Sequence, residues 1–216
     1  MAEARVETRM DSLTTNDWGG GVLPYRVGHR KLGMWLFIMS DSLTFCALLI
    51  GYSYLRFASP NWPRPFPFYP SIVFSTVMTL VLLSSSMTMV MAVMNAMRGR
   101  KSLARRWIFA TMFFGTAFIV LHAIEWGHLM EEGVALFENP WGDPMFGATF
   151  FAITGLHMFH VFTGVCYLGV VALRIKKMTS EDVEVSGLYW HFVDLVWMFV
   201  FPLIYLLSVD FGGAAH

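Results

Sequence analysis

Charge is scarce in this chain. Only 14% of its 216 residues are Asp, Glu, Lys or Arg, and 15 basic against 15 acidic side chains give a formal charge of zero. No polybasic or acidic surface therefore points to nucleic acid. Cysteine is nearly absent: the two present, Cys46 and Cys166, lie inside apolar runs. They are expected to pack as small apolar side chains rather than to form a disulfide or bind metal. The first 30 residues carry arginines and acids without an apolar stretch, so no signal peptide is expected and the first apolar run stays in the mature protein. Short alternating segments are missing, which argues against a barrel, and no internal repeat is evident.

Greasy residues fill the space that charge leaves. Hydrophobic types make up 56% of the chain, with 20 Phe and 16 Met, a balance that suits a lipid solvent. Five apolar runs, about Leu32 to Phe57, Ile72 to Met97, Leu103 to Met130, Met145 to Arg174 and Leu188 to Val209, are each long enough to cross a hydrocarbon core of roughly 30 Å. Backbone groups in lipid must satisfy one another, so each run is expected to be helical. The fold expected is all-α: one bundle of five transmembrane helices over residues 31–210, a cytoplasmic tail over 1–30 and a periplasmic tail over 211–216. Of the 15 Lys and Arg, thirteen fall before the first run, between the second and third, or after the fourth, and the other side holds only Arg56 and Arg64. The positive-inside rule then puts the N-terminus in the cytoplasm and the C-terminus outside.

Ionisable groups inside such runs cost several kcal/mol unless paired. Asp41, Glu125, His157, His160, His191 and Asp194 are the candidates. His157 and His160 are three apart and expected to face one side of the fourth span, and Glu125 and His128 have the Glu-x-x-His spacing used in di-iron bundles. Depth argues against a metal centre. At a rise of ~1.5 Å per residue, the six groups are expected roughly 15 (Asp41), 20 (His160), 25 (His157), 32 (Glu125), 9 (Asp194) and 5 Å (His191) from the cytoplasmic end, whereas ligands must converge to ~2 Å of one ion. At most Asp41, His157 and His160 approach the midplane together, and Asp41 is expected to be uncharged there unless a partner compensates it. Interhelical hydrogen bonding, or a polar seam serving lipid headgroups or proton movement, remain the two readings.

Aromatic residues mark edges. Trp35, Trp107, Trp126, Trp141, Trp190 and Tyr189 fall near the expected span ends, as interfacial belts do, while Trp197 lies deeper and is expected inside. The proline-rich segment from Ser59 to Pro70 is expected to be a stiff connector, with Trp62, Phe66 and Tyr69 anchoring at the outer interface or a partner surface. Glu131, Glu132, Glu138 and Asp143 form an acidic outer loop, read as solvated, with a cationic periplasmic partner as the alternative. Ser84, Ser85, Ser86 and Asn95 are expected to serve helix packing.

Four segments carry a family resemblance: Gly33-Met-Trp-Leu-Phe-Ile-Met-Ser-Asp-Ser, His122-Ala-Ile-Glu-Trp, Phe150 to Gly164, and Tyr189-Trp-His-Phe-Val-Asp-Leu-Val-Trp. The chain resembles subunit III of the haem-copper cytochrome c oxidases over about residues 28–210, in the five-helix bacterial form that lacks the first two helices of seven-helix members. The family usually has glutamate where this chain has Asp41. The resemblance implies a multi-pass protein of the bacterial inner membrane, a non-catalytic subunit of a proton-translocating aerobic terminal oxidase. It implies no catalytic residue and no metal in this chain, with haem and copper in partner subunits I and II. It further implies structural phospholipids and a supporting role in proton uptake and in the durability of the catalytic subunit. Asp41, Glu125, His157, His160, His191 and Asp194 match the family's polar positions, with lipid contact or internal hydrogen bonding as roles. A quinol oxidase or nitric oxide reductase accessory is the alternative, and an independent membrane metalloenzyme or a transporter the more distant ones.

Overall fold

Among the described residues, five helices are each long and apolar enough to cross a bilayer. The computed structural model describes residues 28–135, 140 and 143–210; the N-terminal tail to residue 27, the C-terminal tail from 211, Glu138 and Trp141 lie outside the described residues. In chain order the helices are α1 (His29–Ala58), α2 (Val73–Met97), α3 (Lys101–Glu131), α4 (Met145–Arg174) and α5 (Ser180–Val200).

Proline sets the irregular ends. Pro70 pushes its predecessor Tyr69 into extended geometry (φ −123°, ψ 131°), so Phe68–Ile72 form a distorted π turn before α2 settles at Val73. Pro202 has no N–H to give to a carbonyl one turn back, and α5 gives way there to a π turn, Phe201–Tyr205, and a 3-10 turn, Leu206–Ser208. A short parallel ladder, β1 (Phe66–Pro67) on β2 (Val209–Asp210), ties the two proline-bearing segments together. Glycine sets the other ends. Gly99 (φ 72°) follows α2 and Gly133 (φ 92°) follows α3, each with the paired 6→1 and 5→2 bonds of a Schellman cap: Arg100 N–H to Asn95 C=O and Gly99 N–H to Ala96 C=O, then Val134 N–H to Leu129 C=O and Gly133 N–H to Met130 C=O.

α5 begins at Ser180, eight residues before the expected Leu188. Its first two turns are polar and so invisible to a hydrophobic-run reading, but Thr179 and Asp182 form a reciprocal capping box that starts the helix there. Glu184 accepts from Lys31 at 2.5 Å and Asp182 pairs with Arg30, fastening α5 to the start of α1. Thr179→Ala is therefore expected to fray these turns at a cost of about 1 kcal/mol, seen as faster amide exchange over residues 180–184 with the rest of α5 unchanged.

α5 is the axis of the bundle, with twelve buried residues in 21, whereas α1 buries only Ile38, Phe45 and Tyr52, one every seven residues. α1 thus lies as a single stripe against α4 and α5, running parallel to α5. Its far end is held by Arg56, whose guanidinium donates to Leu207 C=O at 2.5 Å and to Ser208 Oγ at 3.1 Å. α2 and α3 pack as a close antiparallel pair, with the small residues Ala92, Ala96 and Ala104 among those they bury, as helices in lipid do. Lys101 Nζ donates to Lys176 C=O at 3.1 Å and Met178 C=O at 2.8 Å, joining the two basic turns.

Several aromatics sit deeper than their span-end positions suggested. Trp190 is 1% and Tyr189 8% exposed, so neither belongs to an interfacial belt: the early start of α5 moves both inward. The Trp190 ring fills the gap between Gly115 on α3 and Gly164 on α4, where an added Cβ would fall 2.5 and 3.1 Å from it. Trp197 is buried as expected. Phe66 is buried against Tyr205 (ring centroids 5.0 Å apart) and Trp62 packs edge-on to Tyr52 and Phe146, so these two plug the end of the bundle rather than anchor outward. Tyr69 does face outward, as does Trp35. Cys46 and Cys166 are free thiols on outward faces.

Candidate functional site

The intramembrane polar groups fall into separate small clusters joined by aromatic rings. Near the C-terminal end of α3, Glu125 is 7% exposed and both carboxyl oxygens are engaged: Ser75 Oγ of α2 donates to Oε1 at 2.5 Å and Tyr205 OH of the π turn donates to Oε2 at 2.7 Å. One turn back on α3, His122 Nδ1 lies 3.7 Å from Glu125 Oε2.

Below this acid the core is aromatic. Trp197 has His157 stacked on it at 4.9 Å, His122 edge-on at 5.4 Å and Phe118 edge-on at 5.0 Å. Its indole N–H donates to Thr79 Oγ1 at 3.0 Å, as that of Trp190, seven residues earlier, donates to Ser85 Oγ at 2.9 Å. Both histidines are fully buried, and none of their four ring nitrogens has a hydrogen-bond partner among the described residues.

At the seam of α1 and α4, His160 Nε2 approaches Asp41 Oδ2 at 3.3 Å. His160 Nδ1 faces Leu156 C=O at 2.8 Å; a carbonyl only accepts, so Nδ1 carries hydrogen. The approach to Asp41 is not aligned as a hydrogen bond; it is a close acid–imidazole contact between α1 and α4. A third cluster surrounds Ser86 of α2, which meets His191 Nδ1 at 2.6 Å and also bonds Asp194, one turn further along α5.

Of the six expected positions, the fold brings Asp41 to His160, and His191 to Asp194 through Ser86. His157 does not join Asp41 and His160. Residues three apart differ by about 60° around a helix, enough here to turn His157 into the Trp197 cluster and His160 toward α1. His128 does not act with Glu125 as a ligand pair: it faces Glu131 at 3.8 Å in an exposed position. Because α5 starts at Ser180, Asp194 and His191 lie roughly 21 and 16 Å along it, deeper than the sequence reading placed them and level with Asp41 and His160. Even so, among the described residues no three His, Cys, Asp or Glu side chains gather as a ligand set.

Sequence reasoning missed His122, Ser75 and Tyr205 as partners. His122, three residues from Glu125, was the one visible in spacing. The serine triplet behaves as expected: Ser84 bonds back to Leu80 C=O, and Ser85 and Ser86 reach across to α5.

Comparison with known proteins adds the family. The family model for cytochrome c oxidase subunit III matches residues 23–209. A cytochrome bo(3) ubiquinol oxidase subunit 3 from Pseudomonas putida is 32% identical, covering 82% of this chain and 86% of the relative. A cytochrome c oxidase subunit 3 from Corynebacterium diphtheriae is 31% identical over 82% of this chain and 88% of the relative. A quinol oxidase subunit 3 from Bacillus subtilis is 30% identical over 84% and 88%. With its five apolar spans and a match running nearly end to end, this chain is a multi-pass membrane protein belonging to the cytochrome c oxidase subunit III family.

Proposed function

We propose that the chain is a non-catalytic subunit of a bacterial respiratory haem-copper oxidase, set in the inner membrane with its basic turns and N-terminus in the cytoplasm. It packs beside a subunit I that carries haem and copper, together with a subunit II. It holds phospholipids on its apolar outer faces and supports proton uptake and the lifetime of the catalytic subunit during oxygen reduction. The observation that carries this reading is the use made of the polar groups: Glu125, His191 and Asp194 bond to other elements of the bundle and His160 approaches Asp41 of α1, contacts that fix bundle geometry. Asp41, partly buried where α1 meets α4 with 13% of its side chain exposed, is within reach of a lipid or partner. The relatives named above include both cytochrome c and quinol oxidase subunits, so either donor suits the same scaffold.

Removing the chain from the purified oxidase tests this directly. Turnover is expected to begin near the rate of the intact complex and then decay faster in successive cycles. Equal decay with and without the chain would refute the supporting role.

A further inference from the structure

The 15 cations of this chain balance its 15 acids in number but not in place. Arg98, Arg100, Lys101, Arg105 and Arg106 sit where α2 turns into α3, and Arg174, Lys176 and Lys177 where α4 turns toward α5, with no acid between residues 98 and 106 or between 174 and 180. All but Arg105 are exposed. Lys101 Nζ brings the two turns together by donating to the carbonyls of Lys176 and Met178 at 3.1 and 2.8 Å, so the two sets of charge adjoin. At the start of α5, Asp182 and Glu184 are already engaged by Arg30 and Lys31 of α1. Among the described residues none of the eight cations has an ion-pair partner.

Within this patch an open cavity of about 590 Å³ is lined by Gly99, Arg100, Lys101, Ser102, Leu103 and Arg106, a volume inside the roughly 300–1,000 Å³ range of ligand clefts. Three cations, a hydroxyl and no carboxylate make a lining suited to a phosphate. Further along α3 the same side of the helix becomes apolar: residues 103, 106, 110 and 113 share one face, Leu103 and Phe113 are exposed and Ala110 is half-buried. That face runs roughly 15 Å inward from Leu103. Cations at the mouth with an open apolar track beneath them match a ligand built the same way.

We propose that the turn joining α2 and α3 binds the phosphodiester headgroup of an anionic phospholipid, with Arg100 and Arg106 on the phosphate and an acyl chain along Leu103, Ala110 and Phe113. The proposal deepens the phospholipid role stated above and rests on it. Lys101, bonded to the neighbouring turn, adds charge and holds the cavity in shape. Residues 1–27, with four acids and three arginines, offer no matching excess of negative charge, and a free phosphate or an acidic protein segment would leave the apolar track uncovered.

The test uses the whole complex in nanodiscs of phosphatidylcholine containing a trace of phosphatidylglycerol with a photoreactive acyl chain, or of phosphatidylcholine carrying the same chain, and reads the labelled peptides of this polypeptide by mass spectrometry. Labelling over residues 103–113 is expected to favour phosphatidylglycerol by about twentyfold, since each cation near the phosphate contributes about fivefold. Arg100→Gln with Arg106→Gln should bring it to the phosphatidylcholine level, and Arg100→Lys with Arg106→Lys should keep most of the preference. Arg174→Gln with Lys177→Gln removes equal charge from the adjoining turn and should cost no more than about threefold, because charges beyond the screening length contribute little. Equal labelling by the two lipids overturns the proposal. So does an equal loss from both pairs of glutamine substitutions, which reports diffuse attraction without a site, or displacement by inorganic phosphate but not by chloride at the same ionic strength, which reports a site for free anions. Labelling of no face of the chain by either lipid would instead refute the phospholipid role itself, so the two readings fail separately.

Discussion

Trp197→Ala is expected to cost the bundle about 3–5 kcal/mol, the range for emptying a large buried aromatic site. Lipid removes the usual hydrophobic drive between helices, so cohesion here comes from close contact and hydrogen bonds, and Trp197 supplies both. It is 0% exposed, touches Phe118 of α3 and His157 of α4 and, through Tyr205, the π turn, and donates to Thr79 of α2. One side chain thus ties α5 to α2, α3, α4 and the π turn. Trp197→Phe keeps most of the ring and loses the indole donor, about 1 kcal/mol; Thr79 Oγ1 keeps its own bond to Ser75 C=O at 2.8 Å. Thermal unfolding in detergent, followed by tryptophan-independent circular dichroism, should rank wild type, Phe and Ala in that order with a wide step to Ala. Similar midpoints for Phe and Ala would show that the site collapses without penalty.

Glu125→Leu has the second largest expected effect. It strips the acceptor from two buried hydroxyls, but their fates differ. Ser75 Oγ also reaches Ser71 C=O at 3.0 Å and can fall back on it. Tyr205 OH, fully buried, donates among the described residues only to Glu125, and an unsatisfied buried hydroxyl costs about 1–3 kcal/mol. Glu125→Gln retains an amide oxygen to accept from Tyr205, so its loss should be well under that of Leu. Combining Glu125→Leu with Tyr205→Phe should restore part of the stability, since the orphaned donor is then gone. If the double variant is less stable than Glu125→Leu alone, Tyr205 is not the group left unsatisfied.

These two cases also show where sequence reading reaches and stops. The five spans were legible because lipid leaves the backbone one solution, and run length then finds the helices. The start of α5 was not, because Thr179 and Asp182 extend the helix through polar residues, and that shift carried Trp190, His191 and Asp194 inward with it. The candidate acids and histidines were legible as anomalies in apolar runs. Their partners were not: Ser75 and Tyr205 lie 50 and 80 residues from Glu125, and Trp190 owes its burial to glycines on two other helices. The divergence of His157 and His160 lies between, since spacing puts them near one face while neighbouring helices decide which side of it each ring takes.

Elemental analysis of this polypeptide after mild separation from its complex tests the central claim most directly, because the account holds that its buried ionisable groups serve the packing of the bundle and hold no ion. Iron and copper should remain with the partner subunits, and the separated chain should carry far less than one transition-metal ion per molecule. One equivalent of iron, copper or zinc travelling with the chain, and lost on substituting Glu125, His157 or His160, would contradict it.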